Sequence, residues 1–361
     1  MLTLIAILLL SQSPAKPADF SALARDAAVA RDAGRLDDAF ALYTKALKIR
    51  PDWDEGLWNA GSIAYDKDRY SDCAPLFRRL AAIKSDLAPA WTMLGLCEYG
   101  LHDYDLARKS LLQTEQLHFD GPAELSRAAR LHLAIVLTKA GGFEKALILL
   151  TELTRMDHKT QDIAIAAGIA GLRKPWVPSE VPEPEREKVA LLGDAMSTGM
   201  ELDAKGAIPK FEAALEKYPD IADIHFRFGA FLMEQLPDRG IAEIKRAIEL
   251  DPKHIPALVG LASIYLKNGD LKAAGEYGLQ AISAGPDDFA THVVYGRVLL
   301  ESDDLARATS ELETAVRLVP DSADAHYSLA TAYSRLGRRE DAQREQEEFK
   351  RLRKVMDAGH P

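Results

Sequence analysis

The chain has 361 residues, 47% of them hydrophobic and 28% charged, which is enough apolar material for two or three domains or one elongated array. A formal net charge of −10 argues against a general nucleic-acid binder, which is usually basic, and against adhesion to anionic lipid. Two cysteines, Cys73 and Cys97, are too few for a disulfide scaffold or a Cys-rich zinc site.

The first element is the apolar run LTLIAILLL at residues 2–10. As a helix it would cover roughly half of a bilayer core, so it does not span one. Its length suits a signal-peptide core, and the small and polar stretch SQSPA follows, with Ser13 and Ala15 at positions −3 and −1 of a cleavage site. Residues 1–16 are therefore expected to be a signal peptide or a hydrophobic tail. Export to the periplasm or medium is the expectation. The alternative is a cytoplasmic protein, or one held at a membrane by this run. No integral membrane span is expected.

From residue 20 the pattern is helical and repeats. Residues 20–53 carry Ala27, Ala39, Tyr43, Ala46 and Pro51, and residues 54–87 carry Ala60, Gly61, Cys73 and Phe77. Residues 88–121 carry Trp91, Leu94, Gly95, Ala107 and Leu111, and residues 127–160 carry Leu133, Ala134, Ala146 and Leu150. Residues 161–172 read as one more helix without a partner. The segment 173–187 then sets Pro175, Pro178, Pro182 and Pro184 close together, which forbids helix and favours extended backbone. It is expected to be a joint between two blocks, 20–172 and 188–356. Trp176 is either an anchor for a partner or a cover for the end of the first block, and the cover is preferred.

After the joint four prolines set a ruler: Pro219, Pro252, Pro286 and Pro320, spaced 33, 34 and 34. Each follows an alanine by five residues, namely Ala214, Ala247, Ala281 and Ala315. Seven residues before each alanine stands Ala207, Gly240, Ala274 or Ala308. The last unit opens near Ala323 and ends in a helix that is charged all round, as an end cap should be.

In spacing and phase these units resemble the tetratricopeptide repeat, from residue 20 to residue 353. The resemblance implies an all-α solenoid of antiparallel helix pairs, about nine repeats in two blocks. Small residues at the Gly and Ala slots let paired helices approach, and larger slots fill the space around them. Cys73 and Cys97 fall on helices expected to be neighbours. A bridge between them and two buried free thiols both remain open, the thiols being the commoner outcome.

The sequence carries no HExxH, P-loop, GxSxG or GxGxxG motif, and no catalytic, cofactor-binding or metal-binding residue is assigned. His225, His292 and His326 occupy one slot in three units. Equivalent slots lie on the order of 10 Å apart, too far to share one zinc ion, whose nitrogen ligands stand about 2 Å away. They are expected to pack. Gly275 and Gly278 have the spacing of a nucleic-acid clamp loop, but the ruler puts them in the second helix of a unit. Gly278 stands where Phe211, Ile244 and Leu312 stand elsewhere. A neighbour, Tyr265 or Phe289, is expected to fill the space.

The family resemblance implies a non-enzymatic interaction scaffold whose groove, lined by the first helix of each unit, takes a protein or peptide. The matching positions hold Trp58, Tyr65 and Tyr99 in the first block. In the second they hold Phe226, Met233, Arg297, Tyr327 and Arg335. The Lys/Asn/Arg clamp with which some relatives grip a chaperone C-terminus is met only by Asn59, so that partner is not carried over. The alternative function is a structural subunit of an envelope or secretion assembly. An enzyme-associated domain ranks lower.

Overall fold

The computed structural model describes residues 19–117 and 122–358; the apolar run at 2–10 and the cleavage site lie outside them. Among the described residues the long regular elements are nineteen α-helices, with one 3₁₀ turn at Pro178–Glu180. The chain divides into two compact units between Ala140 and Gly141.

The first unit holds α1 (Phe20–Asp32), α2 (Leu36–Ile49), α3 (Asp54–Asp66), α4 (Tyr70–Ile83), α5 (Ala88–Gly100), α6 (Tyr104–Gln116) and α7 (Ala123–Lys139). Consecutive helices pack as antiparallel pairs, α1 on α2, α3 on α4 and α5 on α6. The small slots explain how closely. A Cβ on Gly61 would stand 2.6 Å from the Phe77 ring, and one on Gly95 would stand 2.6 Å from Leu111 Cγ. Each glycine thus receives the large side chain of its own second helix. Turns inside the pairs pass through a left-handed residue, Gly34 at φ 72° and Asp68 at φ 55°. Cys73 on α4 and Cys97 on α5 are fully buried and paired as a disulfide, with Cα atoms 6.0 Å apart. Of the two outcomes left open by the sequence, the bridge is the one formed.

The second unit holds α8 (Phe143–Asp157), α9 (Gln161–Gly171), α10 (Glu183–Met200) and α11 (Ala204–Lys217). Four pairs follow the same logic: α10/α11, then α12 (Ala222–Leu232) with α13 (Pro237–Leu250), α14 (Ile255–Lys267) with α15 (Leu271–Ala284), and α16 (Phe289–Glu301) with α17 (Leu305–Leu318). The last pair is α18 (Ala323–Arg335) with α19 (Arg339–Ala358). In α12/α13 both facing slots are glycine, and the backbones touch: a Cβ on Gly229 would stand 2.7 Å from Gly240 O.

The proline segment differs from its expected role as a joint. It lies inside the second unit and connects α9 to α10, which pack closely on each other. Gly168 and Gly193 allow this, because a Cβ on either would overlap the carbonyl of Val189 or Ala164 on the facing helix. The helix that had no partner in the sequence therefore finds one across the prolines. Val177 and Val181 are buried and Trp176 is half-buried, so the segment folds back rather than standing free.

Gly275 and Gly278 both lie in α15. The space at Gly278 is filled by a neighbour, but by Tyr295 of α16 and not by Tyr265 or Phe289. A Cβ on Gly278 would stand 2.9 Å from the Tyr295 ring. Tyr265 instead stacks on Tyr277, ring centroids 5.7 Å apart.

Candidate functional site

The first helices of three consecutive pairs, α14, α16 and α18, line one groove of about 950 Å³. Leu266, Leu271 and Leu300 supply its apolar part. Lys267, Arg297 and Tyr327 stand along it, and Glu301 and Asp324 line it too. Repetition builds this arrangement. Lys267 and Glu301 hold the same position, the last of the first helix, in successive units, whereas Asp324 lies in the first turn of α18. Tyr327 is 59% exposed, and its ring meets Phe349 of α19 at 5.4 Å, which fixes it in place while leaving the other face open. A half-open aromatic beside an Arg is the kind of anchor that dominates protein interfaces.

The eight residues expected to line a groove separate into two groups. Arg297 and Tyr327 are brought together in this cavity. Arg335 stands near its end but is engaged: its guanidinium donates to the Leu300 carbonyl at 2.6 Å and to Asp303 Oδ1 at 2.7 Å, tying α18 to the end of α16.

The other five pack within their own units. Phe226 is buried, 9% exposed, in a core with Ile244, Ala257 and Leu261, and faces the His254 ring at 5.2 Å. Its position on α12 turns it toward α14, which overrides the expected groove orientation. Met233 is half-buried, its sulfur against the Gly240 slot. In the first unit Trp58 sits edge-on to Phe77 at 5.5 Å, and Tyr65 meets Tyr70 at 5.9 Å. Tyr99 lies between Tyr104 at 5.6 Å and His132 at 4.7 Å. All three are half-buried. Asn59, the one residue that matched the chaperone clamp, is used internally and accepts from Arg31 at 2.8 Å.

The three histidines of the shared slot are buried and doubly bonded. His225 places Nδ1 2.7 Å from Glu243 Oε2 and Nε2 2.8 Å from the Pro219 carbonyl. His292 does the same with Glu311 and Pro286, both at 2.7 Å. His326 does so with Glu345 at 2.6 Å and Pro320 at 2.9 Å. Each of these prolines therefore ends one pair and presents its carbonyl to the next. For His225, burial pulls the imidazole pKa down, but the bonds to Glu243 and Pro219 outweigh it and hold it above the ordinary histidine value.

One cluster has no sequence signal. Lys159, ahead of α9, and Lys210, on α11, converge on Asp194 and Thr198 of α10. They come from positions 35 and 16 residues away from Asp194, in no motif.

Two tetratricopeptide repeat family models match residues 230–289 and 299–345, the stretch that contains the groove. A curated relative, "Protein CTR9 homolog" of Arabidopsis thaliana, is 22% identical over 322 residues; the match covers 86% of this chain but only 23% of that protein's length. Among solved structures, "MamA 41-end from Desulfovibrio magneticus RS-1" aligns with 50% of this chain and 99% of its own, at 16% identity and a TM-score of 0.40. The "APC/C hetero-tetramer Cut9-Hcn1" aligns with 93% of this chain and 87% of its own, at 13% identity and a TM-score of 0.41. No helix among the described residues is long and apolar enough to cross a membrane. The repeat matches identify residues 230–289 and 299–345 as tetratricopeptide repeats, and the helix pairs with their small-residue contacts carry the same all-α repeat architecture through the rest of the described chain.

Proposed function

We propose that the chain is a non-enzymatic scaffold that holds an extended peptide or partner segment in the groove of α14, α16 and α18. One observation carries this: three successive first helices line one cavity in which Tyr327 is open and Lys267 and Arg297 make no ion pair or hydrogen bond among the described residues. Cations without an internal partner are available to a ligand's carboxylates or carbonyls, and the leucines supply desolvated contact area. The Cys73–Cys97 bridge supports work in an oxidising compartment, in keeping with the export expected from residues 1–16.

A photo-crosslinking residue placed at Tyr327 in the native host tests the reading, with Gln280, exposed on α15, as the control position. The expected result is a discrete protein adduct from position 327 that Arg297→Ala reduces. Adducts from position 280 alone would favour an assembly subunit joined through its second helices.

A further inference from the structure

The charged side chains that line the groove of α14, α16 and α18 are sorted by sign along the array. Lys267 ends α14, Arg297 and Glu301 stand one turn apart on α16, and Asp324 lies in the first turn of α18. All four are exposed, and none has a side-chain ion pair or hydrogen bond among the described residues. Taken helix by helix, they place one positive charge on α14, a cancelling pair on α16 and one negative charge on α18. Arg335 and Asp303, beside the same groove, are 2.7 Å apart and neutralise each other. The groove is thus neutral as a whole and polar along its length.

Exposed charges on a helix commonly meet only water. These border an apolar floor of Leu266, Leu271 and Leu300, where a bound segment would shed water from its own charges. Lys267 and Glu301 also hold one slot, 34 residues apart, so the repeat keeps the position and changes the sign. Lys267 and Asp324 stand at opposite ends of their helices, two helix spacings apart. With about 10 Å per spacing and 1.5 Å per residue along a helix, the diagonal between them is on the order of 25 Å. Extended chain covers that in about eight residues.

We propose that the groove takes a partner segment of no net charge and one polarity: acidic over α14, apolar in the middle, basic over α18. This rests on the groove reading above and adds to it the charge order of the partner. A uniformly acidic segment would meet Asp324 and Glu301, and a uniformly basic one would meet Lys267 and Arg297. The ordered segment meets opposite charge at both ends, and Tyr327 and Leu300 receive its middle.

The test uses the full chain and three octapeptides that share a central stretch of alternating leucine and serine. One carries two glutamates at one end and two lysines at the other; the controls carry four glutamates or four lysines. Each holds a photo-reactive group at one end, and adducts are mapped by mass spectrometry. At low salt the mixed peptide should bind about fivefold tighter than either control, the scale of exposed ion pairs gained. With the reactive group at its acidic end, adducts should fall on α14. In the double variant Lys267→Glu with Asp324→Lys they should move to α18. Both positions are exposed, and the circular dichroism of the variant should match the parent. Adducts that stay on α14 in the variant would overturn the proposal. Equal or tighter binding of a control in the groove would also overturn it, and would leave the groove reading standing. If none of the peptides gives an adduct on α14, α16 or α18, the groove reading fails and the proposal with it.

Discussion

His225 and Glu243 face each other across the α12/α13 pair, Nδ1 to Oε2 at 2.7 Å, while the other ring nitrogen meets the Pro219 carbonyl at 2.8 Å. A carbonyl can only accept, so Nε2 donates. A carboxylate at hydrogen-bond distance from Nδ1 calls for a second proton on the ring. The folded protein therefore prefers the imidazolium, although the Arg246 charge works against it.

That preference makes stability depend on pH. The folded pKa of His225 is raised, so its contribution is complete below the unfolded histidine value of about 6.5 and is lost as pH rises through the folded pKa. Melting temperature measured from pH 6 upward should fall over this window. Glu243→Gln should flatten the fall and lower stability at pH 6 by about 1 kcal/mol, the scale of one charge-assisted hydrogen bond. Parallel curves for parent and variant would remove His225 as the cause.

Gly278→Leu should destabilise the second unit by about 1–3 kcal/mol, because Tyr295 already fills the position and has to move. Urea denaturation of the two proteins measures this. A raised midpoint would mean that Tyr295 leaves the slot at no cost.

Reduction of the Cys73–Cys97 bridge, or the pair of changes Cys73→Ala and Cys97→Ala, should cost the first unit about 3 kcal/mol, the chain-entropy value for a loop of this size. Protein unfolded without reductant should take up no thiol label, and two labels after reduction. Labelling without reductant would show that the thiols are free in the cell.

What the sequence made legible was local. The proline ruler, the alanine slots and the paired helices follow from spacing within one unit, and the structure keeps them. Positions facing between units were harder to read. Phe226 shares its repeat position with residues of an open groove, yet α14 buries it. The filler of Gly278 comes from the following helix at a rotation the ruler does not encode. The prolines at 175–182 do break the helix, while Pro184 sits in the first turn of α10, and whether the flanking helices part or close is decided by Gly168 and Gly193, each meeting a carbonyl of the facing helix. The Lys159–Asp194–Lys210 cluster joins three elements and leaves no trace in spacing.

The Tyr295 ring in the Gly278 slot also limits how freely such an array can be edited. Repeats are commonly treated as interchangeable cassettes, each complete in itself. Here the hollow in one cassette is plugged by a side chain of the next, so a cut between Ala284 and Phe289 separates a socket from its plug. Deleting, duplicating or grafting the α14/α15 pair by itself would leave an empty socket on one side and a stranded tyrosine on the other. The smallest transferable piece in this part of the chain is two repeats long.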